Sequence, residues 1–397
     1  MMKPARLFEG SWILHISKIA IASFLLFASF QALATFWGAA RLEAGLKSDV
    51  VEFWVTGKLL REHQSPYDLS RALDLERQEG MQGNTARFSF GPPIALPFWL
   101  PLGYMSPRMA CLLWYAAQLL CLYASVRILR AIYGNQLGPL PWMVFLFAPV
   151  LLCERAGQLG IFFLLALLLF FTAYRRRPFI AGVCLAPLAL KPHLFLPFAC
   201  VLILWILFER HWKIVFGFVS AVGLSIALSV WLAPHSWQQY HDMMAHLGVI
   251  NMPIPCLSSW FRRLLKGSSP SLQFLPSAAA CLLALAYYLK KRRTWSWESH
   301  GVLLLALGLV TAPYSWVMDE AIAVPALASR LARRRSSWPC LGSLVLLNTI
   351  AVLEGMLKVQ VKGAGYLWTA PAWLLWCLAV DRLPVAIGDP VLAPAEV

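Results

Sequence analysis

The sequence alternates long apolar runs with short basic clusters, and that alternation restricts it to one kind of environment. Apolar stretches lie near 12–36, 107–130, 139–153, 158–174, 178–190, 193–208, 213–233, 272–290, 299–312, 317–331, 338–356 and 367–383. Crossing a bilayer takes roughly 20 mostly apolar residues, fewer in a tight hairpin inside a protein. Hydrophobic residues make up 59% of the chain and charged residues 13%; soluble domains run near half and a quarter, respectively. A soluble enzyme, a disordered chain and a secreted disulfide scaffold are excluded. No polar stretch is long enough to be a separate soluble domain. The expected fold is an all-α integral membrane bundle of about twelve transmembrane helices.

Orientation follows from the cations. The net charge of +15 in a soluble chain would point to nucleic acid. Here the basic residues stand in short clusters between spans, which is the positive-inside pattern, so no nucleic-acid partner is expected. Arg175–Arg177, Arg210 with Lys213, Lys290–Arg293 and Arg333–Arg335 are placed in the cytoplasm, two spans apart, and Arg127 and Arg130 with them. The first run has a basic start (Lys3, Arg6) and an Ala-x-Ala at Ala32–Ala34. These are signal-peptide features, but its length and the many following spans favour an uncleaved span. Residues 1–383 then form one polytopic domain, and 384–397 a cytoplasmic tail. Segment 39–106 is outside, and its piece 91–103, with prolines 92, 93, 97, 101 and nearby 107, reads as broken or re-entrant.

The outer segments hold polar residues that are costly at a membrane and are functional candidates for that reason. The run from Ser48 to Asp68 reads as an amphipathic interfacial helix followed by a Pro-Tyr-Asp turn. Within it Asp49 is either a helix N-cap or a general base. Glu154, Arg155 and Gln158 are more than a hairpin turn needs. Lys191-Pro192-His193 breaks a long apolar run and puts a cation outside, against the charge rule, which suits anion binding. Arg262, Arg263 and Lys266 either hold lipid phosphate or anchor an amphipathic segment. Tyr314 and Trp316 suit interface packing or stacking on a sugar. Asp319 and Glu320 suit either an acidic first helical turn or a site. The nine cysteines form no C-x-x-C, and no Cys/His cluster has zinc spacing, so neither metal nor cofactor is expected.

Together these motifs resemble glycosyltransferase family 87. The resemblance rests on Asp49 to Asp68 (D-x-x-x-F/Y-W-x-x-G-x-x-L-L-x-x-x-x-P-Y-D), Phe88 to Pro93 (F-S-F-G-P-P), Gly157-Gln158, Arg-Pro-Phe-x-Ala-Gly at 177–182, A-L-K-P-H at 189–193 and Pro-Tyr-Ser-Trp…Asp at 313–319. They run in the family's order over roughly residues 48–330. Two departures stand out: His193 replaces the usual Gln, and Gly91 interrupts the aromatic-Pro-Pro pattern. Segments 234–271 and 338–397 match no known pattern.

The resemblance implies a GT-C-like polytopic enzyme with 39–106 as its catalytic outer loop and its site on the periplasmic (extracytoplasmic) face of the inner membrane. The implied donor is mannose or another hexose or pentose on a polyprenyl phosphate. The acceptor is a hydroxyl of a glycolipid, glycan or protein. Asp49 matches the family's proposed catalytic Asp. A monophosphate leaving group calls for outer cations: Lys191 first, then Arg155, Arg262 and Arg263. Gln158, His193, Tyr314, Trp316 and Asp319 are the expected donor or acceptor contacts. A lipid-linked sugar flippase and a non-catalytic subunit of envelope glycan assembly remain as alternatives.

Overall fold

The computed structural model describes residues 48–383 except 82–83, 88–89, 138–139, 248–253, 255, 266–269, 334–337 and 357–363. The first apolar run, the tail 384–397, Lys266, Arg334 and Arg335 lie outside the described residues.

Every element described is helical. The segment before the bundle supplies α1 (Val50–Arg61) and α2 (Leu69–Gln78). The bundle follows with α3 (Pro107–Tyr133), α4 (Ala148–Ala156), α5 (Gly160–Ala173), α6 (Pro178–Leu185), α7 (Leu196–Glu209) and α8 (Trp212–Leu232). Next come α9 (Ser236–Leu247) and α10 (Leu257–Leu264), then α11 (Leu275–Lys291), α12 (Val302–Thr311), α13 (Val324–Arg333), α14 (Trp338–Met356) and α15 (Thr369–Arg382).

Four helical stretches are long and apolar enough to cross a membrane: Pro107–Tyr133, Pro192–Glu209, Trp212–Leu232 and Ser271–Thr294. Four shorter apolar ones accompany them: Gly160–Ala173, Pro178–Leu190, Trp297–Thr311 and Pro339–Gly355. The protein is an integral membrane protein, but the described residues do not give twelve full spans. The stretch expected as a span over 139–153 is instead a 3-10 turn, Leu140–Leu146, followed by the nine residues of α4. Pro149 at the start of α4 accounts for the break, because its ring cannot continue the preceding helical hydrogen bonds.

The expected interfacial helix is a second correction. Nine of the twelve residues of α1 are buried, on all sides. Its outer face is covered by the piece 91–103 and its continuation, which steps through Pro93–Ala95, Leu96–Trp99 and Leu100–Tyr104, as a proline-broken segment should. The two backbones touch at glycines. A Cβ on Gly57 would stand 2.1 Å from the Trp99 carbonyl oxygen, and one on Gly103 2.1 Å from the Gly57 carbonyl carbon. Trp54 Nε1 donates to Met105 O at 2.9 Å, and Phe53 stacks on Trp99 at 5.2 Å.

One short helix, α10, turns its apolar side outward. Leu257, Trp260, Phe261 and Leu264 are exposed there, while Ser258, Ser259 and Arg262 are buried. That inverted amphipathicity suits a helix lying against lipid. Elsewhere Gly182 on α6 and Gly217 on α8 bring two helices into backbone contact; a Cβ on either would lie 2.0 Å from a carbonyl oxygen of the other.

Candidate active site

Four chain segments converge on one hydrogen-bonded series. Asp49 precedes α1, but its carboxylate makes no capping bond to that helix. Instead Asp49 Oδ2 accepts from Gln158 Nε2 at 2.7 Å. Gln158 Oε1 accepts from Lys191 Nζ at 3.3 Å, and Lys191 Nζ donates to Asp319 Oδ1 at 2.7 Å. Asp319 Oδ2 then accepts from the Trp316 backbone N–H at 3.0 Å.

Local structure explains each position. Gly157 ends α4 in the left-handed region (φ 75), which turns the chain so that Gln158 points back toward Asp49. The turn is clamped by Trp114 Nε1 donating to Gly157 O and Gln118 Nε2 donating to Gln158 O, both at 2.8 Å. The Asp49 backbone N–H donates to Ala156 O at 2.9 Å, fastening α1 to the same turn. Lys191 sits at the break between the helical stretches Pro178–Leu190 and Pro192–Glu209, with a non-helical backbone (φ −137, ψ 63). Asp319 lies in the 3-10 turn Val317–Ala323 that leads into α13.

The Lys191–Asp319 pair is largely desolvated: the Asp319 side chain is fully buried and the Lys191 side chain 17% exposed. Burial opposes the lysine's charge, but the adjacent Asp319 carboxylate outweighs it, so the Lys191 pKa is raised. Its ammonium has three N–H groups, and two are used within the series. Burial raises the Asp49 pKa, opposed by the Gln158 hydrogen bond and by the charges of Arg87 and Lys191.

Two charged residues here were assigned no role from sequence. Glu52, one helical turn after Asp49, is held well above the usual carboxylate range by burial and by the Asp49 charge. Arg87 Nη1 donates to Ser48 O at 3.0 Å, and its backbone N–H donates to Glu76 Oε1 at 2.7 Å. The D-x-x-E spacing is the signal that would have flagged Glu52, because residues three apart share a helix face. Arg87 carried no such signal.

The remaining candidates divide clearly. His193 meets Tyr314 edge to face at 5.8 Å, and its buried Nε2 lacks a hydrogen-bond partner. Tyr314 OH accepts from Trp316 Nε1 at 2.9 Å, and Phe90 approaches the Tyr314 ring at 6.4 Å. These residues adjoin Lys191 and Asp319. Arg155 and Arg263 are exposed. Arg262 is buried on α10, a helix fastened to the backbone around Tyr314 through Ser258 Oγ donating to Thr311 O at 2.9 Å. Glu154 is buried, and burial lifts its pKa to about 7.

Two acids have structural duties. Asp68 caps α2, its Oδ1 accepting from the Ser70 and Arg71 backbone N–H groups. Glu320 is buried and accepts from Thr369 Oγ1 at 2.7 Å and Trp373 Nε1 at 2.8 Å, pinning α15. Tyr67 of the Pro-Tyr-Asp turn donates to Gly91 O at 3.1 Å, which holds the Gly-Pro-Pro stretch in place. Among the described residues no group of three His, Cys, Asp or Glu is arranged to hold a metal ion.

The arrangement provides a carboxylate held by an amide and a lysine with one donor to spare. It is suited to removing a proton from a hydroxyl beside a site for an anion. The sequence model of glycosyltransferase family 87 matches residues 90–333, more than half of the chain. No curated protein and no solved structure matches it.

Proposed function

The chain belongs to glycosyltransferase family 87 and is a membrane glycosyltransferase; from that premise we propose that it moves a sugar from a polyprenyl-phosphate carrier to an acceptor hydroxyl, with Asp49 as general base. The sugar is mannose or another hexose or pentose, and the acceptor a glycolipid, glycan or protein. The reaction takes place on the extracytoplasmic face of the inner membrane, with 39–106 as the catalytic loop.

In this reading the acceptor hydroxyl gives its proton to the Asp49 carboxylate, and its oxygen attacks the anomeric carbon. The bond from that carbon to the phosphate oxygen breaks in line, and configuration inverts. The leaving polyprenyl phosphate keeps the bonding electron pair, and its added negative charge is met by the remaining N–H of Lys191. Asp319 orients Lys191 and compensates its charge while no donor is bound. Gln158 transmits position between the lysine and the base. His193, Tyr314 and Trp316 supply an imidazole nitrogen and aromatic faces for the sugar.

The observation that carries this reading is the unbroken hydrogen-bonded series from Asp49 through Gln158 and Lys191 to Asp319. Every member of it stands in one of the family-like motifs. The test is transfer by purified, reconstituted protein supplied with a panel of radiolabelled polyprenyl-phosphate sugars and a membrane extract as acceptor. Label moved from one donor supports the enzyme and names its sugar. Donor carried across the vesicle membrane without label transfer would mean a flippase.

A further inference from the structure

The geometry points to a second binding site, at the opposite end of the bundle, for the phosphate headgroup of an anionic membrane lipid. Three helices connect the two ends. The helix α5 starts beside Gln158 and ends before Tyr174; α7 follows Lys191 and ends at Glu209; α12 follows Trp297 and ends before Tyr314. At 1.5 Å per residue the fourteen residues of α5 or α7 separate their ends by about 21 Å.

There, a cavity of about 590 Å³ opens between three loops, lined by Arg175, Arg292, Arg293, Trp205, Trp295 and Trp297, with Glu209 at its edge. Its chemistry is one-sided. Three guanidinium groups face the Glu209 carboxylate, and the one other acid nearby, Glu298, stands behind the wall accepting from Tyr174 OH at 3.3 Å. Arg292 is the cation shared with Glu209, at 3.9 Å, and it lies over the Phe208 ring at 3.9 Å. Arg175 uses only its Nε, which donates to Tyr174 OH at 2.7 Å, leaving its terminal nitrogens for a ligand. Arg293 has no ion-pair partner among the described residues. The Trp297 side chain is fully buried, and its Nε1–H and that of Trp295 have no hydrogen-bond partner. Both N–H groups are closed off among aromatic rings, Trp297 standing edge-on to Trp205 at 5.6 Å and to Trp295 at 5.5 Å, so these indoles form the apolar floor of the cavity rather than its donors.

The charge rule for membrane loops accounts for basic residues at this end. It does not account for their convergence on one cavity in which the terminal nitrogens of Arg175 are unused. A phosphate supplies acceptor oxygens and negative charge together. The rim favours a lipid as its carrier: Leu207, Phe208, Trp212 and Leu289 are large apolar side chains left exposed beside the cations.

The test uses the full chain in detergent micelles, with binding of phosphatidylglycerol, phosphatidylcholine and inorganic phosphate measured by native mass spectrometry. Expected is a preference of at least tenfold for phosphatidylglycerol over phosphatidylcholine, unaffected by millimolar inorganic phosphate. Arg175→Gln with Arg293→Gln should lose that preference, and Arg175→Lys with Arg293→Lys should keep most of it. Asp49→Asn should bind as the wild type does. Unchanged preference in a folded Arg175→Gln/Arg293→Gln variant would overturn the site. Displacement by inorganic phosphate at equal concentration would overturn its assignment to a lipid.

Discussion

Gln158 Nε2 lies 2.7 Å from Asp49 Oδ2, a bond that joins residues 109 positions apart and ties the outer loop to the bundle. Because this bond favours the charged carboxylate, it opposes the burial that raises the Asp49 pKa. A base works in its deprotonated form, so activity should rise with pH through a pKa above that of an ordinary aspartate. Gln158→Leu removes a stabiliser of the charged form. The acid limb of the pH–rate profile should therefore move to higher pH. A hydrogen bond to a charged group is worth about 1.5–3 kcal/mol, so transfer at pH 7 should fall about ten- to a hundredfold.

Glu52 is the neighbouring carboxyl that must be told apart from Asp49. Burial and the Asp49 charge raise its pKa well above the ordinary value, which favours the protonated, neutral form. Glu52→Gln copies that neutral form and should keep transfer within about threefold of wild type at pH 7. A loss as large as that of Asp49→Asn would assign the base to Glu52 instead.

The buried Lys191–Asp319 ion pair has a structural role that can be separated from the chemical one proposed for it. Lys191→Met leaves the fully buried Asp319 carboxylate without its cation, a change that costs about 3 kcal/mol or more. Adding Asp319→Leu removes the stranded charge. Denaturant unfolding should show stability largely restored in the double variant, while transfer stays absent in both.

The glycine contact under the loop gives a packing prediction. Gly57→Ala forces a Cβ into the Trp99 backbone, and overpacking of this kind costs about 1–3 kcal/mol. Since Asp49 rides on α1, transfer should fall further than stability alone explains. Gly80→Ala is the control: its φ of +82 is strained, but nothing lies within 4 Å of the new Cβ. That variant should lose about 1 kcal/mol, with little change in the transfer rate of the folded enzyme.

Much of this was legible in the sequence because the signals are local. Apolar length and basic clusters gave the membrane class, and prolines 92, 93, 97 and 101 gave the broken segment beside α1. The motif residues Asp49, Gln158, Lys191 and Asp319 could be named singly, but hydrogen bonds spanning 109, 33 and 128 positions have no local trace. The helix α1 read as interfacial because its Trp, Phe and Leu residues sit among charges. The glycine-mediated approach of a second backbone covers the face that seemed free. Asp319 and Glu320 looked alike, and only their partners separate them: Lys191 and the Trp316 N–H for one, Thr369 and Trp373 for the other. Glu320→Gln should accordingly leave transfer within about twofold.

The most direct measurement is sugar transfer by Asp49→Asn, made together with donor binding by the same protein in vesicles. The account predicts that the folded variant binds the polyprenyl-phosphate sugar within a few-fold of wild type and transfers none of it, a rate loss of at least about a thousandfold. Transfer near the wild-type rate by that variant would contradict the assignment of Asp49 as the base.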